Sequence, residues 1–408
     1  MNILFLGGVF PKILEKHILD KSKGAVFYPA NKFQNNIIDG LMDIQNVSLE
    51  ILSALFIGTY PFEYKELYIK EKSTTYKECV PHNCVEFCNL WGYRNISRKN
   101  ALIKKIRNFS YNNVDDKAII IYSPHTPFLQ AAVYAKKIDP SIHICLIVPD
   151  LPQFMNLNNK RSFIYKTLKS IDIKAFENNC KYVDSFVLLT EQMKDKLNVA
   201  NRPYIVVEGI VNSEGALNQS FISKDRIQSI VYTGTLNKKF GVVNLVEAFH
   251  RIEKKDIKLE ICGRGDSENI IKEYANRDKR IHYYGQVSND RALKLQQNAT
   301  ILVNPRQNNE EFTKYSFPSK NMEYLLTGKP VIAYKLDGIP NEYDDYFYYV
   351  ESNTVDSLSN KIIEVLNIPE LERIELADKA KKFVLKNKNS SSVGMKIIEL
   401  IYNQNSRL

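Results

Sequence analysis

Short apolar runs alternate with segments of helical spacing along almost the whole chain, the pattern of strands that each feed a covering helix. The first run, Asn2 to Leu6, ends in Gly7-Gly8, and Phe33 to Met42 repeats its apolar positions at helical spacing. Leu49 to Ile57 and Asn83 to Leu90 read as further strands. Lys117 to Tyr122, KAIIIY, is the strongest of this half and precedes a helix predicted over Phe128 to Lys137. His143 to Val148, Ser185 to Leu189 and Tyr204 to Val207 continue the series, and Thr190 is placed to cap a helix that turns Met193 and Leu197 inward. The stretch Asn212 to Asp225 is polar, lacks an apolar period and reads as a linker. After it come strands over Ser229 to Thr233, Leu259 to Cys262, Ile281 to Tyr284, Ile301 to Val303 and Val331 to Ala333, with an amphipathic helix over Val242 to Ile252. Three tail helices are predicted over Val355 to Leu366, Pro369 to Leu385 and Val393 to Tyr402.

This alternation predicts an α/β protein with doubly wound sheets. At 408 residues the chain exceeds what one core usually serves, so two domains are expected. The boundaries fall at 1–211, a linker over 212–225, 226–388, and a last helix over 389–408. No repeat of fixed period and no low-complexity tract interrupts them.

Composition adds exclusions. With 44% hydrophobic and 25% charged residues the chain is globular in type, not disordered. No apolar run reaches the ~18 residues that a bilayer span needs, and MNILFLGGVFPK has no basic region ahead of its short apolar run, so it reads as a first strand and not a leader. Six scattered cysteines suit a reducing, cytoplasmic setting. Cys79, His82, Cys84 and Cys88 lack a second ligand pair at zinc-like spacing, and no metal is expected.

The net charge of +10 is concentrated. Arg94, Arg98, Lys99, Lys104, Lys105 and Arg107 occur with no acidic residue between them, and Lys160, Arg161, Lys166, Lys169 and Lys174 form a second group. Both groups, near 94–107 and 160–174, read as amphipathic helices with cationic faces, suited to an anionic membrane surface at roughly 1 kcal/mol per positive side chain. A solvated basic face is the alternative. Nucleic acid is not expected, because no recognisable nucleic-acid motif accompanies the charge.

Chemistry concentrates in Asn304 to Ala333, NPRQNNEEFTKYSFPSKNMEYLLTGKPVIA. A polar loop carrying Arg306 runs into Ser316-Phe317-Pro318, and Pro318 suits a first helical turn because that position needs no donor. The helix it opens aims free amides at the loop, an arrangement suited to phosphate. Ser319 and Lys320 lie in its first turn, Glu323 one turn further on the same helix, and Gly328 stops it. Amides and a hydroxyl for an anion, with a carboxylate for a neighbouring diol, match what a sugar nucleotide presents. A capped surface helix ahead of a buried strand is the plainer alternative.

Read with VYTGTLNKKFG, LEICGRGD and IHYYGQVSND, this stretch resembles the donor-binding half of glycosyltransferase family 4, over roughly Ile230 to Val350. The resemblance implies a GT-B fold: two Rossmann-like domains facing each other across a cleft, with the last helix crossing back to the first domain. It implies a retaining transfer of a hexose-type sugar from a nucleotide, with UDP expected, to a carbohydrate acceptor such as a lipid-linked glycan, at the inner face of the cell membrane. In that family an Arg commonly follows the Gly of the first loop, and a Lys a few residues on reaches the diphosphate. Here Thr235 follows Gly234, and Lys239 matches the Lys, with Lys238 an alternative one residue away. Gly263 and Val287 fall in loops that line the donor. Glu323 matches the carboxylate on the ribose, whereas Tyr315 stands where a first Glu is usual.

The resemblance therefore implies donor contacts from Gly8, Gly234, Thr235, Lys239, Gly263, Val287, Arg306, Tyr315, Ser316, Phe317, Pro318, Ser319 and Glu323. Lys239 and Arg306 are candidates to stabilise the departing phosphate. His125 and Asp150, in SPHTP and PDLPQF at strand ends, are acceptor-side or catalytic candidates, since ligands of open α/β sheets gather there. No carboxylate pair stands out as the acid and base of a hydrolase, and metal independence is expected. A same-fold epimerase or hydrolase and a non-catalytic sugar-nucleotide-binding protein remain the competing readings.

Overall fold

The computed structural model describes residues 1–24, 26–77, 79–111, 116–151, 163–211 and 227–405. They divide into two compact units, Met1–Ile210 with Ser390–Leu408, and Val211–Asn389. The stretch read as a linker, Asn212 to Asp225, lies outside the described residues.

The first unit is built on β1 (Asn2–Gly7), which runs parallel to β2 (Ser48–Ser53) on one side and β7 (Lys117–Tyr122) on the other. The helices α1 (Lys12–Lys21) and α2 (Tyr28–Met42) lie between β1 and β2 in the chain. The short ribbon strand β3 (Tyr68–Ile69), the antiparallel β4 (Lys72–Tyr76), β5 (Val80–Cys84), β6 (Phe87–Cys88) and the helix α3 (Arg94–Ser110) precede β7. After β7 come α4 (Thr126–Ile138), β8 (His143–Val148), α5 (Phe163–Cys180), β9 (Ser185–Leu188), α6 (Met193–Lys196) and β10 (Tyr204–Val206). The sheet order is β10-β9-β8-β7-β1-β2-β5-β4, so the direction of winding reverses between β1 and β7. β7 and β8 are buried along their full length, as parallel strands covered on both faces must be.

Two predicted strands are cut short. Leu49 to Ile57 ends as a strand at Ser53: the Ala54 amide still bonds Gly7 in register at 3.0 Å, but the next bond slips, Phe56 to Gly8 at 3.1 Å, while Gln34 takes the Gly8 amide. Asn83 to Leu90 breaks after Cys84. Phe87 and Cys88 leave the main sheet to pair antiparallel with Tyr68 and Ile69. His82, inside β5, is fully buried with Nε2 2.9 Å from the Ser53 hydroxyl. Among the described residues no group of three histidine, cysteine or acidic side chains could hold a metal ion.

The basic helix also differs from expectation. On α3 Arg98 is only 2% exposed, donates to the Leu55 carbonyl and stacks 4.5 Å over Phe87. Arg94 donates to the Ile57 carbonyl at 3.1 Å, Lys105 pairs with Glu71, and the Arg107 guanidinium holds the Tyr134 hydroxyl at 2.8 Å. Arg94 and Arg98 serve the protein itself, since a long basic side chain on a half-buried helix reaches inward wherever carbonyls await it, whereas Lys105 and Arg107 make their contacts at the surface. Of the second basic group, Lys160 and Arg161 lie outside the described residues. No described helix is long and apolar enough to cross a membrane.

The second unit is a six-stranded parallel sheet in the order β13-β12-β11-β14-β15-β16. Its elements are β11 (Gln228–Thr233), α7 (Val242–His250), β12 (Ile257–Cys262), α8 (Glu268–Arg277), β13 (Ile281–Tyr283), α9 (Asn289–Asn298), β14 (Ile301–Asn304), α10 (Ser319–Leu326), β15 (Val331–Tyr334), β16 (Tyr348–Val350), α11 (Val355–Asn367) and α12 (Glu370–Asn387). With β11 counted first, the spatial order is 3-2-1-4-5-6, the Rossmann order, with its switch point between β11 and β14.

The last helix, α13 (Ser390–Asn405), belongs to the first unit and lies on α2, as the resemblance implies. Val393, Ile397 and Ile401 recur at i, i+4 and i+8 and share one core with Ile37, Ile38 and Leu41. The helices meet backbone to backbone: a methyl added to Gly394 would lie 2.3 Å from the Gly40 carbonyl oxygen. Alanine ordinarily stabilises a helix interior by about 1 kcal/mol over glycine. Here Gly394→Ala is expected instead to cost about 1–3 kcal/mol, as overpacking does. Thermal or denaturant unfolding checks this, and an unchanged or raised stability contradicts the close contact.

Candidate functional site

The loops at the carboxyl ends of β11, β12 and β14 are knitted together through glycines. Gly263, at φ +142°, comes so near the loop after β11 that a methyl on it would lie 1.7 Å from the Gly234 oxygen. Gly241, at φ +75°, stands likewise against the Pro305 oxygen, 1.9 Å from where its methyl would be. Only glycine tolerates such an approach in that backbone region. The Gly234 amide donates to Cys262 and the Gly263 amide to Gly285, at 3.0 and 2.8 Å. Gly234, Thr235, Gly263 and the start of the Val287 loop are thereby brought to one edge, beside the switch point.

Cations rise from this edge. Asn237 caps a 3-10 turn, Lys238–Phe240, by accepting from the Lys239 amide at 3.0 Å. Asp266 accepts the Lys238 amide at 2.8 Å. Both lysine side chains project to solvent, so the geometry leaves either able to reach a ligand. Arg306 is fixed: its guanidinium lies between Phe240 and Phe312, at 5.0 and 4.7 Å, and donates to the Ser316 hydroxyl at 3.0 Å. Burial lowers its pKa to about 10, which leaves it charged at neutral pH, and its Nε has no hydrogen-bond partner among the described residues.

Ser316 and Phe317 lead from this arginine to α10. Pro318 proves to be the residue before the helix, at ψ 110°, and Ser319 takes the first helical position, one residue later than the sequence suggested. A proline fits either place because neither asks for a donor. No side chain caps α10, and Gly328 at φ +69° follows its end. Tyr315 closes a 3-10 turn, Glu311–Tyr315, beside Ser316.

Glu323 is held. Lys320 grips both its carboxylate oxygens, at 2.9 and 2.8 Å, and the Gln296 amide of α9 donates to it at 2.6 Å. The same amide donates to the Thr233 hydroxyl at 2.7 Å, and the buried Tyr324 hydroxyl accepts the Thr233 amide at 2.9 Å. The Glu323 carboxylate is therefore tied to the end of β11. Sequence reasoning gave Lys320 no role, although its i, i+3 spacing from Glu323 was visible. Gln296 carries no local signal, since only the packing of α9 against β11 brings it in.

In the first unit, Gly8 sits at the carboxyl end of β1, but the protein itself fills its surroundings. Gln34 accepts its amide at 2.9 Å, and the Phe56 ring occupies the space a side chain would need. The glycine thus admits an aromatic ring, and no donor contact is carried by its geometry. His125 precedes α4, its ring 4.7 Å from Phe128 and 5.9 Å from Phe56. Its Nδ1 is buried without a partner among the described residues. Burial, helped by the charges of Arg98 and Arg94, lowers its pKa well below the ordinary value, so the imidazole is neutral at physiological pH. Asp150 lies exposed just past β8.

Residues 217–383 match the family described as "Glycosyl transferases group 1", somewhat under half of the chain. No curated protein matches the chain in sequence. Solved structures match over nearly its full length. One described as "lipopolysaccharide outer core galactosyltransferase WaaB apo form" is 13% identical with a TM-score of 0.63, covering 99% of this chain and 100% of that one. One described as "Trehalose-6-phosphate from E. coli bound with UDP-2-fluoro glucose" is 10% identical at 0.64, covering 98% and 99%. Anabaena Alr3699/HepE in complex with UDP is 12% identical at 0.60, covering 99% and 100%. At such identities the likeness establishes the fold, which is GT-B.

If Glu323 meets a ribose diol, as the sequence reading expects, replacing it by alanine weakens nucleotide binding about tenfold or more, as loss of a charged acceptor does. Titration calorimetry reads this. Unchanged affinity removes Glu323 from the site.

Proposed function

We propose that this chain, a glycosyltransferase of the GT-B fold, moves a hexose-type sugar with retention from a nucleoside diphosphate, preferentially UDP, onto a carbohydrate acceptor carried by a lipid-linked glycan. One observation supports it above the others: an uncapped helix start with a carboxylate one turn along, beside fixed and mobile cations at a Rossmann switch point. The amides before and within the first turn of α10 take the diphosphate. Glu323 takes the ribose hydroxyls. Arg306 and Lys239 offset the charge that grows as the nucleoside diphosphate leaves, and a departing phosphate oxygen accepts the acceptor's proton. These cations already neutralise the leaving group, so the reaction needs no metal. His125 and Asp150 serve the acceptor side; a neutral imidazole can exchange hydrogen bonds with a sugar hydroxyl without competing for its proton.

The preference for uridine draws support from similar structures described with UDP and UDP-2-fluoro glucose, and the glycolipid acceptor from WaaB, described as a lipopolysaccharide galactosyltransferase. Thr235 and Tyr315, which depart from the usual Arg and Glu, favour a second reading as a sugar-nucleotide-binding protein without turnover. A same-fold hydrolase or epimerase is a third. Product analysis in excess chelator separates them. Transfer predicts that nucleoside diphosphate appears only when acceptor glycolipid is added, at the same rate as without chelator. Consumption of donor alone favours hydrolysis or epimerisation, and binding with no product under any acceptor favours the second reading. Activity lost in chelator and restored only by manganese overturns the metal independence.

The membrane contact is better placed beside the basic helix than on its cationic face. In the ribbon of β3 with β6, Tyr68 pairs with Cys88, so Tyr68 and Leu90 fall on one face of the pleat. Trp91 donates its amide to the Tyr60 carbonyl at 3.2 Å, which sets Phe62 beside this turn. Phe62, Tyr68, Leu90, Trp91, Tyr93 and Ile96 are 42–70% exposed, with Lys65, Lys70 and Lys99 flanking them in the chain. Aromatic rings with an apolar body and a polar edge, interspersed with lysines, suit the interface of an anionic bilayer at the cytoplasmic face. Trp91 is the chain's single tryptophan and reports directly. Its emission is expected to shift to the blue on phosphatidylglycerol vesicles and to stay unmoved on phosphatidylcholine. An unmoved spectrum on both contradicts the contact.

A further inference from the structure

Thr235 leaves an electrostatic gap. Where the resembling enzymes commonly carry an arginine to meet the diphosphate, position 235 itself offers a short exposed hydroxyl. The structure brings another cation to the same spot. Lys320, in the first turn of α10, extends its side chain over Gly234, with Cε only 3.7 Å from where a Cβ on that glycine would stand. The lysine stem thus lies at van der Waals distance from the Gly234 backbone, and Thr235 is the very next residue.

Order along the helix sharpens the assignment. Lys320 precedes Glu323 by three residues, roughly 4.5 Å at 1.5 Å per residue. The two charged groups touch in the empty site, at 2.9 and 2.8 Å, but they spring from backbone positions ordered along the helix, the lysine nearer its amide end. A nucleotide lying on this helix, phosphates at the amides and ribose at Glu323, meets the two side chains in that same order. The pair is also easily parted. Lys320 and Glu323 are 32% and 30% exposed, and ion pairs that open to water typically contribute about 0–1 kcal/mol. Gln296 continues to hold the carboxylate when the lysine leaves.

We propose that Lys320 is a further diphosphate-binding cation beside Arg306 and Lys239, standing in for the arginine absent at position 235, and that it exchanges Glu323 for the diphosphate as the ribose hydroxyls take the carboxylate. The inference rests on the nucleotide reading of the site given above. It makes Lys320 a substrate-contacting residue and makes the Lys320–Glu323 pair the resting state of an empty site. Of the neighbouring cations, Arg306 is already anchored between two rings and on Ser316. Lys239 lies in the 3-10 turn after β11 with its side chain exposed.

Titration calorimetry with UDP, and a thermal shift with uridine at millimolar concentration, test this on the full chain. GDP with guanosine and ADP with adenosine take their place should UDP not bind. Lys320→Met is expected to weaken the diphosphate about ten- to hundredfold, the loss that goes with a charged hydrogen bond, while the nucleoside binds as before or better. Lys320→Arg is expected to retain diphosphate affinity. Adding Thr235→Arg to Lys320→Met should restore most of it, which a variant damaged in folding would not do. An equal loss for diphosphate and nucleoside means that Lys320 only orients Glu323, and no loss at all means that it does not reach the phosphates; either overturns the proposal. If no nucleotide binds the unaltered chain, the nucleotide reading itself fails, a result distinct from both.

Discussion

Close backbone approach at the carboxyl edge of the second sheet is the constraint from which the rest follows. Gly263 lies on the Gly234 carbonyl and Gly241 on the Pro305 carbonyl, so the loops after β11, β12 and β14 are fixed to one another with no side chain between them. A side chain at either glycine would push the loops apart. Held together, they let one short helix, α10, present its open start and two side chains beside the switch point. Binding groups on loops gain precision only when a rigid frame positions them. Here the frame is backbone against backbone, backed by a core in which β14 and β15 are entirely buried.

Electrostatics then separates two kinds of cation. Arg306 is desolvated, stacked between rings and hydrogen-bonded to Ser316, so it is a permanent feature of the edge. Arginine suits this use, being planar and weakly hydrated. Lys320 is a point charge on a flexible stem, partly open to water and paired with a neighbour. Such a group is fit to change partners as a ligand arrives. In the first unit the logic is opposite: Arg98 is buried against a carbonyl and a ring and braces the loop that carries Phe56, which in turn packs on His125. That arrangement packs His125 in place and depletes the basic face that charge counting assigned to α3.

Much of the fold was legible because buried parallel strands are written as unbroken apolar runs. Lys117–Tyr122 and His143–Val148 appear with the ends that the pattern gave. The errors fall where tertiary contacts overrule a run. Leu49 to Ile57 looks continuous, but its ladder slips register after Gly7, where Gln34 takes the Gly8 amide. Asn83 to Leu90 splits to build the ribbon with Tyr68 and Ile69. In the site, Glu323 and Arg306 stood out through motif and loop, whereas Gln296 could not, since nothing local distinguishes it from any other helical glutamine. Lys320 was in plain view at i, i+3 from Glu323; its meaning depends on lying beside Gly234, 86 positions earlier in the chain.

A crystal structure of the full chain grown with UDP tests the central assignment most directly. The diphosphate should lie against the Ser319 and Lys320 amides, with Arg306 close by and the ribose hydroxyls on the Glu323 carboxylate. A nucleotide bound elsewhere, with Glu323 still closed on Lys320 and Gln296, contradicts it.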